Sequence, residues 1–517
     1  MKRKTYIVAG LCLWALVGNT AWAADEEKPK RVIKDDGTEE YLVLPKQADC
    51  FADALLNGMV YGRLRSHLFD WHWDQEVDGK QKNNDHVFGL GGSLIFKTAP
   101  FYGASATAGV YTSLNPINQL NMDKTDVKLM ASAPKDVTSR NKVYNGGGFD
   151  GGWDMTALAQ AYLEYAGFDT DVKLGRQIYE GFLLASNDTK MIPNTFEGLS
   201  VLNKTVPDTS ISAAYFTRQK RRNHAEFHDV IAFKGPKDYE WEGNDDSGVH
   251  KGLTATRLDN NDIDTKLLVL GLTNKSIKDL KADLWYTGVP DLFWSGMIEA
   301  NYQISFGDGW SLTPGVRYMQ QFDDGAGKIG GAAISGKINP NPDGTVTPGK
   351  EMGYKDPGSV DGSMWAVRGV LKKGAGSLLL AYSDVADEAD LITPWRGFPT
   401  GGYTRDIAQV NWEANTASWM VKYSYDFDKA KILWGFRAVI DYTNMDYDET
   451  KEVLGGFTKT DAHVIHLDMW QKVPWVPNLE AKVRLAQYSA DNTTVHGTTL
   501  PYDPSYKEGR FELNYLF

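Results

Sequence analysis

The segment Arg510-Phe-Glu-Leu-Asn-Tyr-Leu-Phe517, at the end of the sequence, alternates between two kinds of side chain. One face is apolar: Phe511, Leu513, Tyr515 and Phe517. The other face is polar: Arg510, Glu512 and Asn514. A two-residue period predicts a β-strand whose faces meet different surroundings. A membrane strand with lipid on one side has this pattern, and so does a half-buried strand of a soluble β-sandwich.

The same alternation recurs along the chain, which favours the membrane alternative. Residues 56–68, 310–321, 418–427, 430–442 and 478–488 repeat it clearly. In all, about eighteen segments show it, each near the ten residues that a tilted membrane strand needs. Their expected centres lie near residues 62, 92, 106, 160, 174, 201, 215, 268, 284, 299, 316, 368, 380, 422, 436, 466, 484 and 513. The pattern predicts an all-β fold, a transmembrane antiparallel β-barrel of about 18 strands.

The segments between the expected strands alternate in length. Short ones comprise residues 98–100, 205–209, 374–376 and 428–429; long ones, rich in Gly, Asn and Asp, comprise residues 112–153, 221–262, 322–361, 384–414 and 443–460. Short periplasmic turns and long extracellular loops are the rule for outer-membrane barrels. Pro314 falls inside an expected strand, where it removes a ladder donor, so we expect a bulge or the membrane edge there.

The first residues predict export. A basic head (Lys2 to Lys4), an apolar run from Ile7 to Val17 and the motif Ala21-Trp-Ala23 are typical of a signal peptide, residues 1–23, cleaved after Ala23. A transmembrane helix is disfavoured because about eleven apolar residues cannot span a bilayer. The expected organisation is therefore a signal peptide, an acidic N-terminal extension at 24–55 and a transmembrane β-barrel at 56–517.

Charge and cysteine content exclude several alternatives. The whole chain carries a net charge of −12, from 55 basic and 67 acidic residues. Loss of three basic residues with the signal peptide leaves 52 against 67, or −15, which excludes nucleic acid as a partner because such partners need a basic surface. Only Cys50 would remain of the two cysteines, so no internal disulfide can form.

Two motifs resemble those of the OprD-type porin family of Gram-negative bacteria. The first is Lys173-Leu-Gly-Arg-Gln177, and the second is Asn187-Asp-Thr-Lys-Met-Ile-Pro-Asn-Thr-Phe-Glu-Gly198. Residues 98–103, the segment 394–405 and the closing strand are also similar, so the resemblance covers most of the mature chain. Lys190 stands where the family has Arg, which keeps the charge but loses the planar guanidinium. The extension 24–55 is longer than the family pattern.

The resemblance implies a monomeric barrel, in some cases assembled as loose homotrimers, with no cofactor. A terminal Phe517 resembles the signal that the barrel-assembly machinery reads in the outer membrane. The family also has a loop that folds into the lumen, which corresponds here to residues 179–198. Its expected polar residues, which would replace part of a solute's water shell, are Asn187, Asp188, Lys190, Asn194 and Glu197. A purely structural inward loop is the alternative.

Basic residues cluster on the polar faces of the last strands and of the first. The expected basic ladder comprises Arg63, Arg65, Arg368, Lys422, Arg437, Lys482, Arg484 and Arg510. Because barrel closure pairs the last strand with the first, these residues are expected to share one stripe of the wall. The family resemblance implies a ladder of the same kind. Local salt bridges with inward carboxylates are the alternative role.

The expected function is passive, substrate-selective diffusion of small polar solutes, carboxylates or other anions, through the outer membrane. A non-selective general porin and a structural or adhesin barrel are the alternatives. An enzyme is not expected, because the sequence has no Gly-x-Ser-x-Gly elbow and no phosphate loop, and no Ser/His or Asp/His constellation can be placed at the lipid or loop face. The pair His224 and His228 has metal-ligand spacing, but it lies at the root of a long loop outside any helical motif, so no metal site is expected there.

Overall fold

A computed structural model describes residues 31–34, 37, 39–41, 46–75, 85–114, 154–186, 188, 191–222, 224–232, 248–397, 403–407, 411–451, 459–494 and 501–517. Within these residues, eighteen antiparallel strands form one closed barrel in sequence order. The strands are β1 (Met59–Trp73), β2 (Asp85–Lys97), β3 (Ala104–Leu114), β4 (Asp154–Gly167), β5 (Thr170–Gln177), β6 (Thr195–Asn203), β7 (Thr209–Lys220), β8 (Leu267–Asn274), β9 (Leu280–Val289), β10 (Phe293–Tyr302), β11 (Trp310–Asp323), β12 (Gly362–Lys373), β13 (Gly376–Val385), β14 (Thr416–Asp426), β15 (Phe436–Asp446), β16 (Ala462–Lys472), β17 (Leu479–Ala490) and β18 (Tyr506–Leu516).

Closure joins the last strand to the first. β18 pairs with β1 from Tyr506↔Trp73 to Leu516↔Arg63. The pairing continues to the final residue, since the Phe517 N–H donates to the Gly62 carbonyl at 3.0 Å. Each of the eighteen expected centres falls in a different strand, so the predicted strand number and order are confirmed.

The faces of the strands follow the alternation seen in the sequence. Apolar residues such as Leu64, Ile440 and Leu485 are exposed on the outside, whereas inward residues such as Arg63 and Asp441 are buried. The apolar outer surface therefore suits contact with lipid, and the polar face points into the lumen. Side chains on that inner face are the ones that can determine which solutes pass.

Two expected strand boundaries are wrong. Residues 51–56 form a short helix, α1, and the sulfur of its N-cap residue Cys50 accepts the Asp53 N–H. The first strand therefore begins at Met59 instead of residue 56. Residues 430–435 belong to the turn between β14 and β15, because the Ile432 N–H folds back to the Phe427 carbonyl at 2.9 Å. Ile432 and Trp434, which gave this stretch its alternating apolar pattern, are exposed residues of the turn and are not paired in a strand.

The connection lengths follow the predicted rule with one exception. At one end of the barrel the connections are short, such as residues 168–169 and 374–375. At the other end they are long and include residues 221–266 and 324–361. The exception is the three-residue connection 290–292 at the long-loop end. Pro314 lies within β11 opposite the interruption between β10 and the short strand Ile304–Ser305, where we expected a bulge.

The long connections pack into a compact layer at their end of the barrel. They include helices α2 (Ala255–Asn260) and α3 (Ala326–Gly330). The buried Asp390 carboxylate accepts hydrogen bonds from the Ile334 N–H at 3.0 Å, the Ala414 N–H at 2.9 Å and the Tyr354 hydroxyl at 2.8 Å. Burial raises the pKa of Asp390 to about 6. None of the described helices is long and apolar enough to span a bilayer.

The two motif glycines are direct cross-strand partners. Gly175 on β5 pairs with Gly198 on β6, and both have positive φ, 125° and 156°. A Cβ on Gly198 would lie 2.2 Å from the Tyr215 carbonyl oxygen, and one on Gly175 would lie 2.3 Å from the Ala161 carbonyl oxygen. The motif residues are therefore glycines because the strands approach too closely for any side chain.

We expect Gly198→Ala to lower the free energy of unfolding by about 2 kcal/mol or more, because strain and a backbone clash combine. The measurement is the urea concentration at which the barrel loses its heat-modifiable mobility on gels. Gly307→Ala is the matched control, since nothing lies within 4 Å of a Cβ there. Equal midpoints for the two variants would show that the β6–β7 contact at Gly198 relaxes without cost.

Candidate functional site

The segment between β5 and β6, residues 178–194, lies against the inner face of β1. There the Asp188 carboxylate pairs with the guanidinium groups of Arg63 and Arg65. Arg65 Nη1 is 3.1 Å from Asp188 Oδ1, and its Nη2 is 2.8 Å from Glu512 Oε2. Arg63, Arg65 and Asp188 are each no more than 2% exposed. One end of the segment is therefore held to the wall by buried, charge-assisted hydrogen bonds.

The other part of the same segment contacts a distant wall strand. The Phe182 ring lies 5.5 Å from the Arg317 guanidinium carbon on β11. Leu183–Leu184 pairs with Arg396–Gly397, which belongs to the connection between β13 and β14. Because β1 and β11 are ten strands apart in a ring of eighteen, they stand on nearly opposite sides. Phe182 and Asp188 therefore contact walls that stand nearly opposite each other.

A second segment, residues 403–407, also lies against the inner wall. The Tyr403 ring receives two guanidinium groups, Arg317 at 4.7 Å and Arg368 at 4.5 Å from the ring centroid. The Glu299 carboxylate pairs with the same two arginines, at 2.5 and 3.4 Å. Burial, with the nearby Glu299 charge, raises the pKa of Tyr403 to about 12, so its hydroxyl stays neutral.

The expected loop residues have different positions. Asn187 and Lys190 lie outside the described residues. Asn194 is buried and fixes the segment, because its Oδ1 accepts the Arg222 N–H at 2.6 Å. Glu197 lies on β6 and pairs with Arg176 Nε at 2.8 Å. The loop therefore ends at residue 194, not at 198 as the family resemblance implied, because β6 begins at Thr195.

The eight expected ladder residues all lie on inward faces, but carboxylates stand among them. Arg484 and Asp468 form a two-point pair at 2.8 and 2.7 Å. Other pairs are Lys482–Asp468 at 3.3 Å, Arg510–Glu508 at 2.6 Å, Lys422–Asp441 at 3.7 Å and Arg368–Glu299 at 3.4 Å. Arg437 and Lys482 flank the Trp470 ring at 4.2 and 4.8 Å. The wall is thus a mixed-charge surface with cations at regular positions.

Sequence reasoning missed a buried basic run at the end of β7. Lys220, Arg221 and Arg222 are at most 1% exposed. Lys220 Nζ donates to the Pro193 carbonyl at 2.8 Å, and Arg221 Nη2 donates to the Ile231 carbonyl at 3.3 Å. The run therefore holds Pro193 and Asn194, where the chain enters β6. Its only signal in the sequence was three consecutive basic residues, which ordinarily indicate a solvated surface.

Part of the N-terminal extension also lies inside the barrel. Arg31–Ile33 pairs with Glu39–Tyr41 as a short hairpin. Arg63 Nη1 donates to the Gly37 carbonyl at 2.7 Å, and the Ser93 hydroxyl on β2 bonds to Glu39. A cavity beside the hairpin is lined by Lys34 and Gly37 and by ladder-side residues: Arg437, Lys482, Glu480 and Glu512. The hairpin thus occupies lumen space next to the basic residues.

We expect Asp188→Asn to destabilise the protein, because it leaves two buried arginines without their shared carboxylate. Removing one partner from a buried ion pair costs about 3–5 kcal/mol. The urea midpoint of the heat-modifiable band measures this loss. Asp208→Asn in the exposed 204–208 turn is the control. Equal stability of both variants would mean that Asp188 does not anchor the segment.

Comparisons with known proteins agree on one family and one fold. The model of the family described as outer membrane porin, OprD family, matches residues 157–463, more than half of the chain. No curated protein matches the sequence.

Solved structures of Pseudomonas aeruginosa and Acinetobacter baumannii proteins resemble the whole barrel. P. aeruginosa OpdK with vanillate has a TM-score of 0.61 at 15% identity, over 90% of this chain and 99% of that one. P. aeruginosa OccK9 (OpdG) has a TM-score of 0.64 at 17% identity over the same shares. A. baumannii OccAB1 has a TM-score of 0.64 at 14% identity, over 92% of this chain and 99% of that one.

Proposed function

The chain belongs to the OprD family of outer-membrane porins, and from this premise we propose that it mediates passive, substrate-selective diffusion of small carboxylates and similar polar anions. The fold and the family are those of a channel, which leaves selectivity as the question. The observation that carries the proposal is the set of inward cations on β14, β15, β17, β18 and β1, which lie in one sector of the wall.

Because these cations are paired with carboxylates of the wall, we expect a solute to diffuse past them and not to be bound tightly. An arginine with no partner in a narrow lumen would hold a carboxylate through two charge-assisted hydrogen bonds. Arg484, already paired with Asp468, offers a solute only its remaining donors and a partly neutralised charge. Conduction needs sites that are favourable enough to enter and weak enough to leave, and partly neutralised cations meet both conditions.

We propose that residues 182–194 act as the constriction, with Asn187, Asp188, Lys190 and Asn194 facing or supporting the narrow region and Glu197 on the adjacent wall. Support comes from the contacts of this segment with β1 and β11. On the opposite wall, the cations are Arg317 on β11 and Arg368 on β12. Both guanidinium groups pack against the Tyr403 ring. A solute carboxylate passing between the two sides would meet cations on each.

The relative OpdK is described with vanillate, an aromatic carboxylate, which supports the same substrate class here. A structural or adhesin barrel would not need an inward ladder of cations. We further propose that residues 1–23 are removed on export, and that the strand ending in Phe517 is read by the assembly machinery.

Reconstituted protein in a planar bilayer tests the proposal. In asymmetric KCl, the reversal potential is expected to have the sign of chloride preference. Liposome swelling with benzoate, benzyl alcohol and benzylammonium, which have similar sizes, should be fastest for benzoate, because only a carboxylate gains from the cationic sector. Equal rates for the three solutes would indicate a general porin, and the absence of conductance from folded protein would indicate a structural barrel.

A further inference from the structure

A histidine and two aspartates converge on the inner wall between β15 and β16. Asp441 and His466 are direct cross-strand partners, and both point inward. Asp406 reaches them from the segment 403–407. His466 Nδ1 lies 3.1 Å from Asp406 Oδ1 and 3.3 Å from Asp441 Oδ1. One donor atom from each of the three residues lies within 4.8 Å of the others, and all three residues are buried.

Asp406 is held in place by its own segment. The Thr443 hydroxyl, on the inner face of β15, donates to Asp406 Oδ2 at 3.1 Å. Two residues before it, Thr404 bonds to Ser383 on β13 and accepts Asn411 Nδ2 at 2.8 Å. One residue after it, Ile407 packs in the apolar cluster of the wall. The position of Asp406 next to Asp441 is therefore fixed by contacts of the 403–407 segment with the wall.

Charged side chains surround the two carboxylates. Asp468 is neutralised by its two-point pair with Arg484. The nearest described cation to the aspartate pair, other than His466, is Lys422, whose Nζ is 3.7 Å from Asp441 Oδ2. That oxygen is buried and accepts no hydrogen bond among the described residues. When His466 is neutral, as a metal ligand must be, one lysine faces two buried carboxylates, and a bound cation would meet the remaining negative charge.

The orientation of the histidine points to a bound cation. Its Nε2 lies 3.1 Å from Asp468 Oδ1, on the side where a carboxylate orients a metal-binding histidine, but the two atoms do not form a hydrogen bond in this geometry. In the tautomer that carries its proton on Nε2, the Nδ1 lone pair faces two carboxylate oxygens, so three acceptor atoms meet. A proton on Nδ1 can point to only one of the two oxygens. A metal ion, in contrast, can be bound by the nitrogen and by both oxygens at once.

We propose that Asp406, Asp441 and His466 bind a divalent transition-metal ion of the Zn²⁺ type. One imidazole nitrogen and two carboxylate oxygens are donors that suit Zn²⁺ and its first-row neighbours. Ligands about 2.1 Å from such an ion and about 100° apart are separated by about 3.2 Å, which matches the His466 distances to both aspartates. A site with three protein ligands keeps an open position for water or for a solute carboxylate.

The bound ion would act on the lumen in two ways. It would tie the 403–407 segment, and with it Tyr403, to the wall at β15 and β16. It would also neutralise Asp406 and Asp441, which frees the charge of Lys422, whose side chain is one-third exposed. Anions would then meet a more positive wall, so Zn²⁺ should raise the chloride preference of the channel. This inference goes beyond the proposed function, since the site can bind metal whichever solute passes.

The test is metal binding by the full-length, untagged barrel in detergent, stripped with a chelator and titrated with ZnCl₂. Wild-type protein should bind one Zn²⁺, and bound Co²⁺ should give visible bands of a site with nitrogen and oxygen ligands. His466→Gln and Asp406→Asn should each weaken binding by at least about 100-fold. Asp468→Asn, which keeps the three ligands but also removes the partner of Arg484, should weaken it by about 10–100-fold.

His463→Gln is the matched control, because His463 lies on the same strand as His466 with its side chain on the opposite face. Heat modifiability checks that each variant folds, and Asp406→Asn keeps the test valid if His466→Gln does not fold. Zn²⁺ binding that survives both substitutions, or wild-type protein that binds no Zn²⁺ at the site, would overturn the proposal and make His466 a buried imidazolium between its aspartates. Carboxylate selectivity is measured separately, so failure of one proposal leaves the other standing.

Discussion

Deleting residues 183–192 is expected to raise the single-channel conductance several-fold and to abolish discrimination among solutes of similar charge. The deletion removes the part of the segment that crosses from β1 to β11, where Asp188 and Phe182 contact opposite walls. The ends of β5 and β6 remain linked by seven residues, which suffices for an ordinary hairpin loop. The barrel should therefore close normally around a wider passage.

Two controls separate widening from a change in charge. Asp188→Asn removes the same buried carboxylate while it keeps the segment, so it should change conductance less than the deletion. Deleting residues 341–345, an exposed turn in the 324–361 connection, removes chain outside the lumen and should leave conductance unchanged. A folded 183–192 deletion with wild-type conductance would place the narrowest point elsewhere, with the 403–407 segment the next candidate.

The barrel could be predicted from the sequence because strand faces are a local property. A two-residue period needs no knowledge of the rest of the fold, so the inward positions of Arg437, Arg484 and Arg510 follow from their own neighbours. The same reasoning fails where local alternation occurs without pairing. Residues 430–435 alternate but fold back as a turn, and residues 51–56 prefer a helix.

The site could be predicted only in part, because its contacts join residues that are distant in sequence. Asp188 meets Arg63 across 125 positions, and Asp406 meets His466 only because the connection between β13 and β14 turns back into the barrel. No period in the sequence encodes either contact. The carboxylates between the ladder cations were visible as inward residues, but their pairing depends on cross-strand register, which one-strand patterns do not specify.

The double substitution Arg437→Gln and Arg484→Gln is expected to shift the reversal potential toward cation preference and to lower benzoate permeation several-fold. Both side chains lie in the ladder sector, and each loss removes a positive charge while the neighbouring Glu480 and Asp468 remain. The shift should shrink at high salt, because the Debye length falls from about 10 Å at 0.1 M to about 3 Å at 1 M. Neutral solutes of the same size should permeate unchanged.

The two arginines should contribute unequally to stability, which separates selectivity from folding. Arg484 holds Asp468 at two points, so its loss weakens a buried pair, although Lys482 remains 3.3 Å from the same carboxylate. Arg437 stacks on Trp470, so Arg437→Gln alone should change selectivity with little loss of stability. Lys275→Gln with Lys278→Gln, in the exposed 275–279 turn, removes the same two charges outside the lumen and should leave the reversal potential unchanged. If both double variants behave alike, the effect follows from total charge, and the ladder cations are structural partners of the wall carboxylates. If only the ladder variant shifts, the cations act on permeating anions directly.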